Sequence, residues 1–551
     1  MSQPCSSSTE PRGGLDGGGR VLAAVLFTGL LLRILGIGWG LPSGLIPGEP
    51  PFHPDEMAPW DEGGTLYTAP DPITFTWGGA FYFRLAWLVR LVGEGLNPAN
   101  AIAATVFTIT WLRLINVAVG VASGYAIYRA GAAVFGRRAG LVAAFLFLTF
   151  PAHVLECHYA RPDVVQLGFT CAAAWCAAAI ATRRVASTLR ASVLGGVLAG
   201  LAVATMLWGV LALVALAAAV MVAEWSGAID SPYVKRVLGV GVAIAAAAFA
   251  GYLLGSVETF VFWEMFLNGR RRAAAMHGTS HYHAPLGLLF GTALYAFGSG
   301  GALAGYAGAA RAVATSRARP AGWVAVAPLA AGVVMLGMIE GNMMRYVLFL
   351  APWIALLGGV AIDAAVEWGA SHARSAGAVR GLAYAIVVLA ALQVPLGYVL
   401  AMHFVEDARY RTGRWVARHA TGGATVGITP GFYGDWTYTA RFPEGPSSGR
   451  LTVDELQLRS NFDASGYLAR GLDFVTLSDA TATGVSGETA PAFVRDLTKG
   501  DRYRAVATLG PPWELLCLPR RFGAEIPGDL LYVRQTFTVY ERADRASAGT
   551  G

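Results

Sequence analysis

Residues 21–40 read VLAAVLFTGLLLRILGIGWG, and shortly downstream residues 52–56 read FHPDE. Twenty nearly uninterrupted apolar residues match the thickness of a bilayer at the rise of an α-helix. The run is too long for a signal-peptide core and lacks a small-x-small cleavage site, so it reads as an uncleaved signal anchor. A paired carboxylate, Asp55-Glu56, then follows at what would be the membrane–water boundary.

The same pattern recurs along the chain. Apolar runs at 105–130, 139–156, 164–181, 191–207, 209–225, 236–255, 284–310, 321–339, 346–366 and 381–402 bring the expected count to about eleven spans. The stretch 191–225 reads as one long helix or a tight pair, and the count takes it as a pair. Composition agrees: 55% of the 551 residues are hydrophobic and 14% are charged, against roughly 25% charged in soluble proteins. Several water-soluble domains, disorder, collagen-like repeats and a coiled coil are excluded on those figures. The fold class expected is a mainly α polytopic membrane bundle.

Charge orients the bundle. Arg12 and Arg20, Arg137 and Arg138, Arg183, Arg184 and Arg190, Lys235 and Arg236, Arg311, Arg317 and Arg319, and Arg374 and Arg380 alternate with the other set of loops. The positive-inside rule makes their side cytoplasmic, with the N-terminus there. An odd span count leaves residues 403–545, and a tail at 546–551, outside. Residues 1–20 read as a flexible cytoplasmic segment and 21–402 as the membrane module. The first outer loop, 41–104, carries an aromatic, arginine-bearing stretch at 79–92 suited to a juxtamembrane helix. Strand-like runs at 424–429, 474–478 and 531–540, with amphipathic helical stretches at 410–419 and 492–499, make residues 403–545 an extracytoplasmic α/β domain. The net charge of +6 comes without a dense basic run, so no nucleic-acid partner is expected. The five cysteines have no zinc-ribbon spacing.

The outward loops hold the candidate chemistry. Asp55 and Glu56 sit where partial desolvation favours a general base; the plain alternative is a solvated turn after Pro54. His158-Tyr159-Ala160-Arg161-Pro162-Asp163 offers a second carboxylate, which equally suits a helix cap. Arg345 and the run Arg270–Arg272 oppose the charge rule. Guanidinium binds phosphate in a bidentate fashion, which would justify them; attraction to lipid head groups would serve the triple run as well. His277, His281 and His283 have H-x3-H-x-H spacing and join His53 as candidate substrate or divalent-metal contacts, but no carboxylate is placed with them. Arg33 reads as a snorkelling residue, and Arg113 with Asn116 as an interhelical polar contact.

Taken in order, Gly38-Trp39-Gly40-Leu41-Pro42, His53-Pro54-Asp55-Glu56, Arg113-Leu114-Ile115-Asn116, Ala160-Arg161-Pro162-Asp163 and Arg345-Tyr346 before Pro352 resemble the GT-C membrane glycosyltransferases. The branch is that of protein O-mannosyltransferases and lipid A aminoarabinose transferases, glycosyltransferase family 39-like. The resemblance covers roughly residues 20–402. It implies a polyprenyl-phosphate-linked sugar as donor, an acceptor protein, lipid or glycan, and transfer with inversion on the non-cytoplasmic face of the cell membrane. It makes Asp55 the base with Glu56 beside it, Asp163 the second acid, and Arg345 a holder of donor phosphate, with Arg161 and Arg270–Arg272 as further phosphate contacts. The sequence departs from many relatives at 200–208, GLAVATMLW, which lacks their lysine; the chain's only lysines are Lys235 and Lys499. A transporter or lipid flippase is the competing class, but transporters gather ionisable groups at the midplane on repeated, interrupted helices. Here they crowd one interface and no internal repeat is evident.

Overall fold

The computed structural model describes residues 17–42, 52–56, 65–68, 71–76, 79–225, 231–276, 285–339, 341–371, 388, 391–420, 423–428, 440–442, 451–455, 471–479, 494, 497–498, 502–510, 526–531 and 533–544. His277, His281, His283, and most of the stretch 492–499, lie outside them. In chain order the main helices are α1 (Gly17–Ile34), α2 (Phe81–Leu96), α3 (Ala101–Val134), α4 (Arg137–Thr149), α5 (Pro151–Cys157), α6 (Asp163–Ala181) and α7 (Thr188–Thr205). Then come α8 (Val210–Glu224), α9 (Ser231–Ser256), α10 (Trp263–Met276), α11 (Gly298–Ala314), α12 (Trp323–Leu336), α13 (Ala351–Ser371), α14 (Gln393–Val405) and α15 (Ala408–His419).

Among the described residues, six helical runs are long and apolar enough to cross a membrane: α3, α6, α7, Leu207–Glu224, α9 and Ala351–Gly369 of α13. The bent pair α4–α5 would make a seventh. The stretch 191–225 is two helices, parted where Met206 turns extended (φ −155°, ψ 142°). Three other expected spans are shorter or interrupted, and most of the first half of the fourth, 381–402, lies outside the described residues. The 21–40 run stops being helical at Ile34, because Gly36 and Gly40 take positive φ. The 284–310 run is broken by Gly298 at φ +64°, while α12 and α14 are short apolar helices. The bend of 56° between α4 and α5 has a local cause. Phe150 precedes Pro151, and the proline ring drives it to extended dihedrals (φ −58°, ψ 123°).

Helix packing relies on small residues, as expected where lipid removes the hydrophobic drive between helices. Side α7 against α9, a methyl on Gly200 would overlap the Ala248 carbonyl, and one on Gly251 the Val197 carbonyl. Arg33 does not snorkel. It is fully buried, donating to the Leu148 carbonyl at 2.9 Å, contacting His153 Nδ1 at 2.7 Å and reaching Cys157 Sγ at 3.3 Å. The reason is that α5 turns its polar residues inward, giving the guanidinium partners that solvent would otherwise supply.

Beyond α15, five strands among the described residues form one mixed sheet: β1 (Ala424–Ile428), β2 (Leu451–Glu455), β3 (Phe474–Ser478), β4 (Tyr503–Leu509) and β5 (Phe537–Arg542), in the order β2-β1-β3-β5-β4. β1 pairs in parallel with β2 and β3, whereas β5 runs antiparallel to β3 and β4. The run expected at 531–540 starts as a strand only at Phe537, since Gly528–Leu531 is a helical turn. This region is fastened to the first loop. Trp39 Nε1 donates to Asp407 at 2.7 Å, and fully buried Arg409 lies over the Phe52 ring at 4.0 Å.

The glycine packing gives a controlled test. Gly251 and Gly239 share α9, but a methyl at Gly239 would meet nothing within 4 Å. Gly251→Ala should lower the midpoint of thermal unfolding in detergent. Gly239→Ala should leave it unchanged or raise it, because alanine gains up to about 1 kcal/mol of helix propensity. Equal effects would remove the close-packing explanation.

Candidate active site

Two residues one turn apart on α3 organise the site. Arg113 donates through Nε and Nη2 to both oxygens of Glu56, at 2.8 and 2.6 Å. Its Nη1 donates to the carbonyls of Ile37 and Trp39, at 2.8 and 2.6 Å. Asn116 donates to the carbonyls of Tyr159 and Arg161, at 2.7 and 2.9 Å. The Ala160 N–H donates to Glu56 at 2.7 Å and ties the two loops together. One face of α3 therefore holds both acidic loops, because i and i+3 side chains leave a helix on the same side.

Glu56 and Arg113 are both 0% exposed. Glu56 is held by Arg113 and the Ala160 N–H, which makes it the anchor between the two loops. Asp55 points the other way. Its side chain is 34% exposed, with Arg345 Nη1 donating to Oδ2 at 2.7 Å and Arg161 Nε 3.7 Å from the same oxygen. Arg161 also lies 3.2 Å from Asp163 and 3.4 Å from Glu156. The Nε and Nη1 of Arg161 make no aligned hydrogen bond. It is a guanidinium shared among three carboxylates rather than locked to one.

The electrostatics follow from this geometry. Burial would raise the Asp55 carboxyl, but the Arg345 and Arg161 guanidiniums outweigh it and hold Asp55 below the usual carboxylate range. At His53, burial and the nearby arginines push the imidazole well below its ordinary value, against the raising effect of Asp55. The Asp55 N–H donates to His53 Nδ1 at 3.2 Å and the ring packs on Tyr159 at 4.2 Å, so His53 braces the turn as a neutral ring.

Asp55, Arg161, Asp163 and Arg345 thus come together, 290 positions separating the outer pair. The run Arg270–Arg272 does not join them by any hydrogen bond or ion pair among the described residues. Arg270 donates to the Thr76 carbonyl at 2.6 Å, while Arg271 and Arg272 are exposed on α10. Two members escaped the sequence reading. Glu156, fully buried at the end of α5, sat inside an expected span; a carboxylate five positions after Pro151 was the available signal. Asp529 is fully buried and accepts the Met344 and Arg345 N–H groups, each at 2.9 Å.

No protein-family model matches the sequence, and no curated protein matches it. Among solved structures, the chain is similar to the oligosaccharyltransferase AglB of Archaeoglobus fulgidus in complex with an inhibitory peptide and a dolichol-phosphate (13% identity, 95% of this chain and 88% of that one, TM-score 0.48). It is also similar to ArnT of Cupriavidus metallidurans bound to undecaprenyl phosphate (15% identity, 94% and 97%, TM-score 0.46). Both are GT-C glycosyltransferases, the class that the loop motifs resemble. Likeness at this level leaves the chemistry to be read from the residues.

The anchor reading of Glu56 is testable. Glu56→Ala strands a buried guanidinium and should destabilise the protein by about 3–5 kcal/mol, read as a lower thermal midpoint. A Glu56→Ala protein as stable as wild type would show that Arg113 does not depend on it.

Proposed function

We propose that the chain is a membrane glycosyltransferase that moves a sugar from a polyprenyl-phosphate donor to an acceptor hydroxyl, with inversion, on the non-cytoplasmic face. The observation that carries this reading is one partly exposed carboxylate, Asp55, flanked by Arg345 and Arg161 while the neighbouring acids Glu56, Glu156 and Asp163 are buried. In the proposed topology about eleven spans put the N-terminus inside and residues 403–545 outside.

Asp55 accepts the proton of the acceptor hydroxyl as its oxygen bonds to the anomeric carbon. The bond from that carbon to the phosphate oxygen breaks, and polyprenyl phosphate leaves with the electron pair. The departing group is already a stable anion, so no acid is required to protonate it. What it needs is positive charge fixed in advance, and Arg345 supplies it. Donor arrival has a second effect. A phosphate that draws Arg345 away removes the strongest influence lowering Asp55, and burial then raises its basicity. Base strength is thereby tied to an occupied donor site.

Two outcomes check this. With a panel of undecaprenyl-phosphate sugars, Asp55→Asn should lower release of undecaprenyl phosphate by about a hundredfold or more, with Asp163→Asn also impaired. Full activity in Asp55→Asn would remove it as the base.

The second outcome concerns pH. A base works only when ionised, so kcat/KM falls as pH drops through its pKa. In wild type that pKa is depressed, so the rate should show no acidic limb from Asp55 above about pH 4. Arg345→Gln leaves burial opposed chiefly by Arg161, and an acidic limb should move up into the measurable range. Superimposable profiles would mean that Arg345 does not set the basicity of Asp55.

A further inference from the structure

The segment around Gly528–Leu531 belongs by sequence to the far end of the chain, yet it is built into the site. Leu530 and Val533 are buried in the same apolar cluster as Met344, Val347 and Leu348. The Gly528 N–H donates to the Asn342 carbonyl at 2.8 Å, and Asn342 Oδ1 accepts from Thr292 Oγ1 at 2.7 Å. Between these contacts Asp529 places one carboxylate oxygen on each of two consecutive N–H groups, those of Met344 and Arg345, at 2.9 Å. It is fully buried.

We propose that Asp529 is a positioning residue for Arg345, fixing its backbone so that its guanidinium reaches Asp55 and the donor phosphate. This rests on the transferase reading above and adds to it: residues beyond the membrane module complete the active site. The chemistry is specific. A carboxylate accepts two parallel N–H bonds, which fixes both the position and the orientation of the backbone that launches the Arg345 side chain. Four bonds separate that Cα from the first guanidinium nitrogen, so a small rotation at the base becomes a large displacement at the tip. The Arg345–Asp55 contact at 2.7 Å leaves little tolerance for it. Ordinary capping of a helical turn requires only one acceptor, and among the described residues neither N–H here is served by a residue local in sequence.

The test uses the full-length protein in detergent or nanodiscs with an undecaprenyl-phosphate sugar that wild type turns over. Asp529→Asn keeps the side chain's size but turns an amide N–H group towards one of the two backbone donors. It should raise the donor KM by about tenfold to a hundredfold, in line with the cost of misplacing a substrate-binding group by about 1 Å, with a smaller change in kcat. Asp529→Glu, which retains two acceptors, should recover part of the loss, and it also serves if the asparagine variant does not fold. The decisive comparison is a cycle with Arg345→Lys. If Asp529 acts through Arg345, the double variant should be little worse than Arg345→Lys alone. Additive losses, or an unchanged donor KM in a folded Asp529→Asn protein, would overturn the proposal while leaving the transferase reading intact. Full activity in Arg345→Ala, or no turnover by wild type with any donor, would sink the role of Arg345 and this inference with it.

Discussion

A guanidinium inside a long apolar helix is the constraint from which the rest of the site follows. Arg113 on α3 cannot be left unpaired away from water, since an isolated buried charge costs many kcal/mol. Glu56 neutralises it with two bonds, and the Ile37 and Trp39 carbonyls take the remaining nitrogen. Meeting that demand draws the chain after α1 back over the bundle and fixes the turn at Pro54–Glu56. Gly40 allows the return: at φ +60° it brings the backbone against the Phe52 ring with no side chain between, and the Phe52 N–H bonds back to its carbonyl at 3.1 Å. Glu56 is drawn fully inside by Arg113, while Asp55 beside it keeps a third of its side chain open, at 34% exposure.

The same logic grades the acids of the site by burial. Glu156 is sealed behind Arg161, Asp163 lies at the start of α6, and Asp55 is open. Arg161 serves all three at ion-pair distance, so its charge is spread and none of the three neutralises it alone. Arg345, by contrast, has one short partner in front and a backbone held from behind. One guanidinium is thus shared among three acids while its neighbour is held at both ends.

Much of this was legible in the sequence, for a physical reason. In an apolar chain a charged residue in an outward loop lacks the routine explanation of surface solvation, so Asp55, Arg161, Asp163 and Arg345 stood out. The hidden parts were hidden by mechanism. Glu156 sat in a run that read as one continuous span, and the Phe150–Pro151 break that brings it to the site is a local backbone event. Asp529 lay among the many charges of residues 403–545, and its partners are backbone N–H groups, which carry no sequence signature. Arg270–Arg272 are neighbours on a helix and so point in different directions, and Arg270 donates to the Thr76 carbonyl. The number of spans was the least secure element, because glycine and proline interrupt apolar runs without altering their hydropathy.

The scarcity of lysine, present only at Lys235 and Lys499, acquires a reason at this point. A lysine ammonium is a compact point charge on a flexible stem, whereas guanidinium is a planar fork with five donors. Arg113 uses that fork on one carboxylate and two carbonyls at once, and Arg161 reaches three carboxylates. Arg113 meets four acceptors in this way, one more than the three protons of an ammonium could serve. The stretch 200–208 is committed to close packing, with Gly200 against Ala248 and the Thr205 hydroxyl donating to the Leu201 carbonyl at 2.8 Å. Arg113 and Arg161 thus hold the loops while shaping the charge around Asp55. Such a site gains preorganisation, because the charges are fixed before any ligand arrives. It also gains fragility, because a change to one guanidinium is felt at every loop that it holds.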